Sequence, residues 1–135
     1  MTDIEIGQAV YDRIKGSALA SAANGELTLY PRADNSGKED ICISVLSSRA
    51  GQIQQAFVSV NIYVQDVTRT DAAHKGQKIA NRPRLRTLCG LAWEILERFN
   101  GGEYRFTLDE QRVLDAGNGK EHIINNKILL TISNE

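Results

Sequence analysis

Phe57-Val58-Ser59-Val60-Asn61-Ile62-Tyr63-Val64-Gln65 alternates without a break: Val58, Val60, Ile62 and Val64 fall on one side, Phe57, Ser59, Asn61, Tyr63 and Gln65 on the other. Successive side chains of a strand point to opposite faces, so the stretch predicts a strand with one face in a core and one mixed face. Phe57 and Tyr63 sit on the mixed face among polar groups. That face is either the solvated side of an antiparallel sheet or a contact with another subunit, and periodicity leaves both open. Phe57 and Tyr63 are therefore candidate subunit-contact residues.

Working back from this strand, Ile41, Ile43 and Val45 share one side of a shorter strand, preceded by the turn cluster Asp34-Asn35-Ser36-Gly37-Lys38. Before that, Glu26-Leu27-Thr28-Leu29-Tyr30 reads as a first strand closed by Pro31. Ser17 to Gly25 shows no clear period. At the N-terminus, Thr2-Asp3-Ile4-Glu5 has the form of a capping box, in which hydroxyl and carboxylate each satisfy an orphaned backbone N–H. A short helix with Ile6, Ala9, Val10 and Ile14 on its apolar stripe follows, and Gly16 stops it.

Working forward, Asn81-Arg82-Pro83 opens a second helix, with Pro83 near the first position, where its missing N–H does no harm. Leu85, Leu88, Cys89, Ala92, Ile95, Leu96 and Phe99 trace one face of it, and Gly101-Gly102 ends it. Tyr104, Phe106 and Leu108 alternate as a fourth strand; Asn126, Ile128, Leu130 and Ile132 alternate as a last one. The turn Ala116-Gly117-Asn118-Gly119-Lys120 joins the two as a hairpin. The order predicts an α+β fold: a mainly antiparallel sheet of about five strands with two helices packed on one face. Residues 1–135 form one domain, since a chain of this length buries a core without disulfides. A long polar connection is expected near 66–82.

Reaction chemistry finds little purchase. Cys42 and Cys89 lack C-x-x-C spacing and read as buried thiols. Of the two histidines, His74 lies in the polar connection and reads as solvated, and His122 beside Glu121 reads as a surface ion pair. Asp109, Glu110 and Asp115 cluster near the hairpin, but adjacent strand residues face opposite ways, so Asp109 and Glu110 cannot address one ligand. Zinc-type groupings, EF-hand spacing and phosphate-binding glycine loops are missing, and the expectation is no catalytic site, no metal and no cofactor. The acidic N-terminus has no secretory pattern and no window reaches the roughly 18–20 apolar residues of a membrane span, which predicts a cytoplasmic protein with no membrane partner.

Charge is what stands out. Arg69, Lys75, Lys78, Arg82, Arg84 and Arg86 against Asp71 give a local charge of about +5 in a chain whose net charge is −1, leaving about −6 for the remainder. These six cations are the candidate partner-binding residues. The plain reading is a solvated loop of about 16 residues, yet connections that long in compact domains are usually functional or disordered. The Ala72-to-Gln77 stretch has no bulky apolar anchor, which predicts a segment that orders on meeting a partner.

The leading helix Ile6 to Lys15, the segment Gly25-Glu26-Leu27-Thr28-Leu29-Tyr30-Pro31, the strand Val58-Ser59-Val60-Asn61-Ile62-Tyr63-Val64, the helix Pro83 to Phe99 and the closing strands together resemble the tail-completion, or tail-terminator, proteins of long-tailed phages and prophages. The resemblance implies a structural component of virion assembly, not an enzyme. Such a protein forms a homo-oligomeric ring, docks on other phage tail or neck proteins, and resides in the host cytoplasm before entering a virion or prophage-derived particle. In such a ring the basic segment would contact an acidic neighbour or line a lumen through which DNA passes. A nucleic-acid-binding adaptor using residues 69–86 is the alternative.

Overall fold

The structure, a computed structural model, describes residues 1–133. In chain order the elements are α1 (Asp3–Ile14), α2 (Ala18–Ala22), β1 (Leu27–Leu29), β2 (Ile41–Arg49), β3 (Ile53–Gln65), β4 (Val67–Thr68), β5 (Lys78–Ile79), α3 (Arg82–Leu96), β6 (Arg98–Asn100), β7 (Tyr104–Asp115) and β8 (Glu121–Ser133). The fold is α+β, with a six-stranded sheet in the order β1-β2-β3-β8-β7-β6 and a separate two-stranded ribbon, β4-β5.

β3 is the axis of the sheet. It pairs antiparallel with β2 on one side and along its whole length with β8 on the other, Val60 opposite Ile43 and Asn126. Val58, Val60 and Ile62 are wholly buried, and they share one core with Ile6, Val10 and Ile14 of α1 and Leu88, Ala92 and Leu96 of α3. Burying each such Val, Leu or Ile side chain contributes about 1.5–3 kcal/mol, so the helix layer is held mainly by this face. A polar amide sits inside it. Asn126, fully buried, donates to the Val60 carbonyl at 3.1 Å and accepts from Gln111 Nε2 at 2.8 Å, while Gln111 also donates to the Cys89 carbonyl of α3. With its hydrogen bonds made, this amide ties sheet to helix at little cost.

The N-terminal helix begins as expected: Thr2 Oγ1 accepts from Glu5 N–H, and Glu5 Oε1 from Thr2 N–H. Elsewhere the structure departs from the sequence reading. Ser17 to Ala23 is not irregular, because Ser17 caps the one-turn helix α2, whose Leu19 is buried. β1 runs parallel to β2, making the sheet mixed. The long helix stops at Leu96, and Phe99 belongs to the edge strand β6, opposite Phe106. There its ring packs on Tyr104 and Phe106 with centroids 5.5 and 5.4 Å away, and stacking of that kind favours turning the chain back over one more helical turn. Gly101-Gly102 accordingly forms the β6–β7 turn: Gly102 has φ 88°, and a Cβ on Gly101 would lie 2.7 Å from the Phe99 ring. Sheet and helices thus number six strands and three helices among the described residues, where about five and two were expected.

Candidate interaction surface

The polar connection is a projecting hairpin. Its β4-β5 ladder pairs Val67 with Ile79 and Thr68 with Lys78. Beyond it Arg69 N–H donates to the Gln77 carbonyl at 2.8 Å and Gly76 N–H to the Arg69 carbonyl at 3.1 Å, Gly76 adopting φ 87°. Asp71 ties the tip, taking Arg69 Nε and His74 Nδ1 each at 2.9 Å, and these partners hold its carboxyl below the usual range. As expected, no burial holds the tip, residues 70–79 being exposed; hydrogen bonds give it its shape. Its base is fixed by Asp66, whose N–H donates to the Lys120 carbonyl and whose carboxylate meets His122 Nδ1 at 2.6 Å. Residues 70–79 are exposed, Val67 and Ile79 with them.

The six candidate cations separate into distinct settings. Arg69 is spent on Asp71. Arg84 turns inward, with Nε at 2.6 Å from Glu39 Oε2 and Nη2 donating to Glu39 Oε1 and to the Ala22 carbonyl, so it locks α2, α3 and the start of β2 together. Arg84 hydrogen bonding pulls the Glu39 carboxyl below its ordinary value even against burial. The Lys78 ammonium donates to the Thr68 hydroxyl at 2.8 Å, its one side-chain bond among the described residues. Lys75, Arg82 and Arg86 are exposed and make no side-chain bond within the described residues.

Arg82 and Arg86 rim a cleft of about 820 Å³ between the start of α3 and the β7–β8 end of the sheet. Ala80, Pro83, Leu85, Cys89 and Val113 line it on the apolar side, and His122 adds an imidazole. Asn81 caps the helix by accepting from Arg84 N–H, but no acidic residue occupies the first turn. Cations there oppose the positive end of the helix dipole, and an anionic group brought to the cleft would relieve both.

A second network lies at the same end of the sheet and was not legible as a site. Arg32 Nε sits 2.7 Å from Asp40 Oδ2 and Nη1 2.8 Å from Glu121 Oε1, and the guanidinium covers the Tyr63 ring at 3.8 Å. Burial alone would raise both carboxyls. For Asp40 it is outweighed by the Glu26 N–H, the Ser36 hydroxyl and Arg32; for Glu121, by Arg32, Asn118 and Gln65; both end below their ordinary values. Burial raises the Tyr63 phenol. Tyr63 is thus engaged within its own chain, and Phe57, half-buried on the same face, carries Lys127 Nζ 4.4 Å over its ring.

The hairpin carboxylates are dispersed. A bulge between Leu108 and Glu110 displaces Asp109, Glu110 pairs with Arg112 at 2.7 Å, and Asp115 accepts from Gly117 N–H. Among the described residues no group of histidine, cysteine and acidic side chains converges as a metal site, and no helix is long and apolar enough to cross a membrane. Both thiols are free, and burial raises each of them. Comparison with protein-family models and with curated proteins finds no match.

Proposed function

We propose that this chain is a phage or prophage virion-assembly protein of the tail-terminator or head-tail completion type, acting by ring-like self-association and docking on tail or neck proteins, without catalysis or cofactor. The observation that supports it is the β4-β5 hairpin, a basic arm standing clear of an otherwise acidic body, next to a cleft rimmed by unpaired arginines. A ring repeats one heterologous contact around an axis, and so needs two different patches per subunit. A cationic arm and an anionic body are two such patches. The host cytoplasm and then the particle are where such a protein works.

Sedimentation velocity at high protein concentration and low salt tests this reading. The wild-type chain is expected as a closed species of several subunits, and reversing Lys75, Lys78 and Arg82 together should return it to smaller species while the melting temperature holds. A wild-type chain that stays monomeric throughout overturns it. The alternative, a nucleic-acid-binding adaptor, is favoured by one feature: a two-stranded ribbon is of a width the DNA major groove accepts, and Lys78 on it and Lys75 at its tip make no ion pair among the described residues. It predicts duplex binding that falls steeply with salt and vanishes in the same triple variant.

A further inference from the structure

The outer face of α3 carries a pattern of which the ring reading uses only Arg86, at the cleft rim. Arg86, Gly90, Trp93 and Glu97 follow one another at spacings of four, three and four, which aligns them along one stripe of the helix and its C-cap, apart from the buried Leu85, Leu88, Ala92 and Leu96. Trp93, the single tryptophan of the chain, is 48% exposed, and a Cβ on Gly90 would meet nothing within 4 Å. Arg86 and Glu97 have no side-chain partner within the described residues. Helix energetics do not account for the arrangement, because cations at the start and acids at the end both oppose the dipole.

We propose that this stripe is self-complementary and pairs antiparallel with the same stripe of a second copy, seating Trp93 against the partner's Gly90 and Arg86 against the partner's Glu97. Both pairs require the same register. A single two-fold axis passing between Leu91 and Ala92 generates the two ion pairs and the two Trp–Gly contacts together, and an isologous contact has this property by symmetry. Charge complementarity selects the antiparallel direction: a parallel pair would set Arg86 on arginine and Glu97 on glutamate. The missing side chain at Gly90 leaves room for an indole where helix axes approach to about 8–10 Å, and a large aromatic flanked by charges has the make-up of an interface anchor. The contact joins subunits back to back, a symmetry distinct from the head-to-tail ring. A wild-type protein that stops at the dimer would therefore defeat the ring reading and leave this one standing.

Arg86→Glu and Glu97→Arg, made separately and measured by sedimentation velocity at low salt, test it. Each places like charges at both ends of the paired helices, and each should weaken the dimer on the order of tenfold or more. An equal mixture of the two variants should regain it, because every facing pair is then opposite in sign again. Trp93 emission should shift to the blue as the wild-type protein or the mixture is concentrated, and Gly90→Leu, which fills the space for the indole, should abolish the shift while the fold survives by circular dichroism. Single variants that dimerise like the wild type, a mixture no more associated than its components, or Trp93 emission independent of concentration would overturn the proposal.

Discussion

Arg32→Met keeps most of the aliphatic stem and removes the guanidinium from the tightest electrostatic site of the protein. Asp40 and Glu121 are then left as two carboxylates whose side chains are only 4% and 6% exposed, facing each other's charge across the space Arg32 filled. Removing one partner of a buried pair costs about 3–5 kcal/mol, most of it the burden of the charge left behind. For a domain of this size that lowers the melting temperature by about 10–20 °C. The carboxyls can relieve the strain by taking up protons, so the deficit should be larger at pH 8 than at pH 5. Urea titration followed by circular dichroism at both pH values measures it. Arg32→Met combined with Asp40→Asn and Glu121→Gln removes the stranded charge, and should recover more than half of the loss. The reasoning is refuted if Arg32→Met costs less than about 1 kcal/mol at pH 8, the worth of an exposed pair, or if the neutral triple variant is no better than the single one.

Acid should find the same weakness. Glu39, held by its Arg84 hydrogen bonds, and Asp40 and Glu121, where bonding outweighs burial, all have depressed folded-state values. Their contribution is complete above the unfolded-state values near pH 4 and is lost as pH falls through the lower folded ones; an unfolding free energy flat to about pH 5 and falling below it is the expected titration. Gly25→Ala pushes a methyl into the backbone of Glu39 and the Asp40 carboxylate, and should destabilise by about 1–3 kcal/mol in thermal melts. A thiol reagent should modify Cys89, half-exposed on the cleft wall, well before the buried Cys42, and mass mapping of the labelled peptide reads the order. Reversing Lys75 and Lys78, which bear on no core contact, should leave the melting temperature within about 2 °C, as expected of surface substitutions, while lowering the assembled fraction in gel filtration.

What the sequence made legible was whatever rests on local periodicity. The Val58–Val64 alternation, the Thr2–Glu5 capping box and the hairpin turn at Gly117 to Gly119 each reappear in the structure because neighbouring residues alone dictate them. The helix end was misread because Phe99 fits the helical period as well as the pairing of β6, and only the distant Tyr104 and Phe106 rings decide between them. Arg32 meets Glu121 across 89 positions, and Arg84 meets Glu39 across 45, so neither pair leaves a mark at short range. For the candidate surface the charge asymmetry was plain, whereas its division was not: Arg84 proves internal, and Arg82 and Arg86 remain at the cleft. Cys89, Val113 and His122 join that cleft from separate elements, a convergence that only the packing of α3 on β7 and β8 creates.

Closed, head-to-tail association is the claim on which the functional reading turns, and native mass spectrometry of the concentrated protein at low ionic strength tests it most directly. The account predicts one dominant assembly whose mass is a fixed multiple, greater than two, of the 14.9 kDa chain, and which disperses when Lys75, Lys78 and Arg82 are reversed. A spectrum holding only monomer and dimer under those conditions would contradict it.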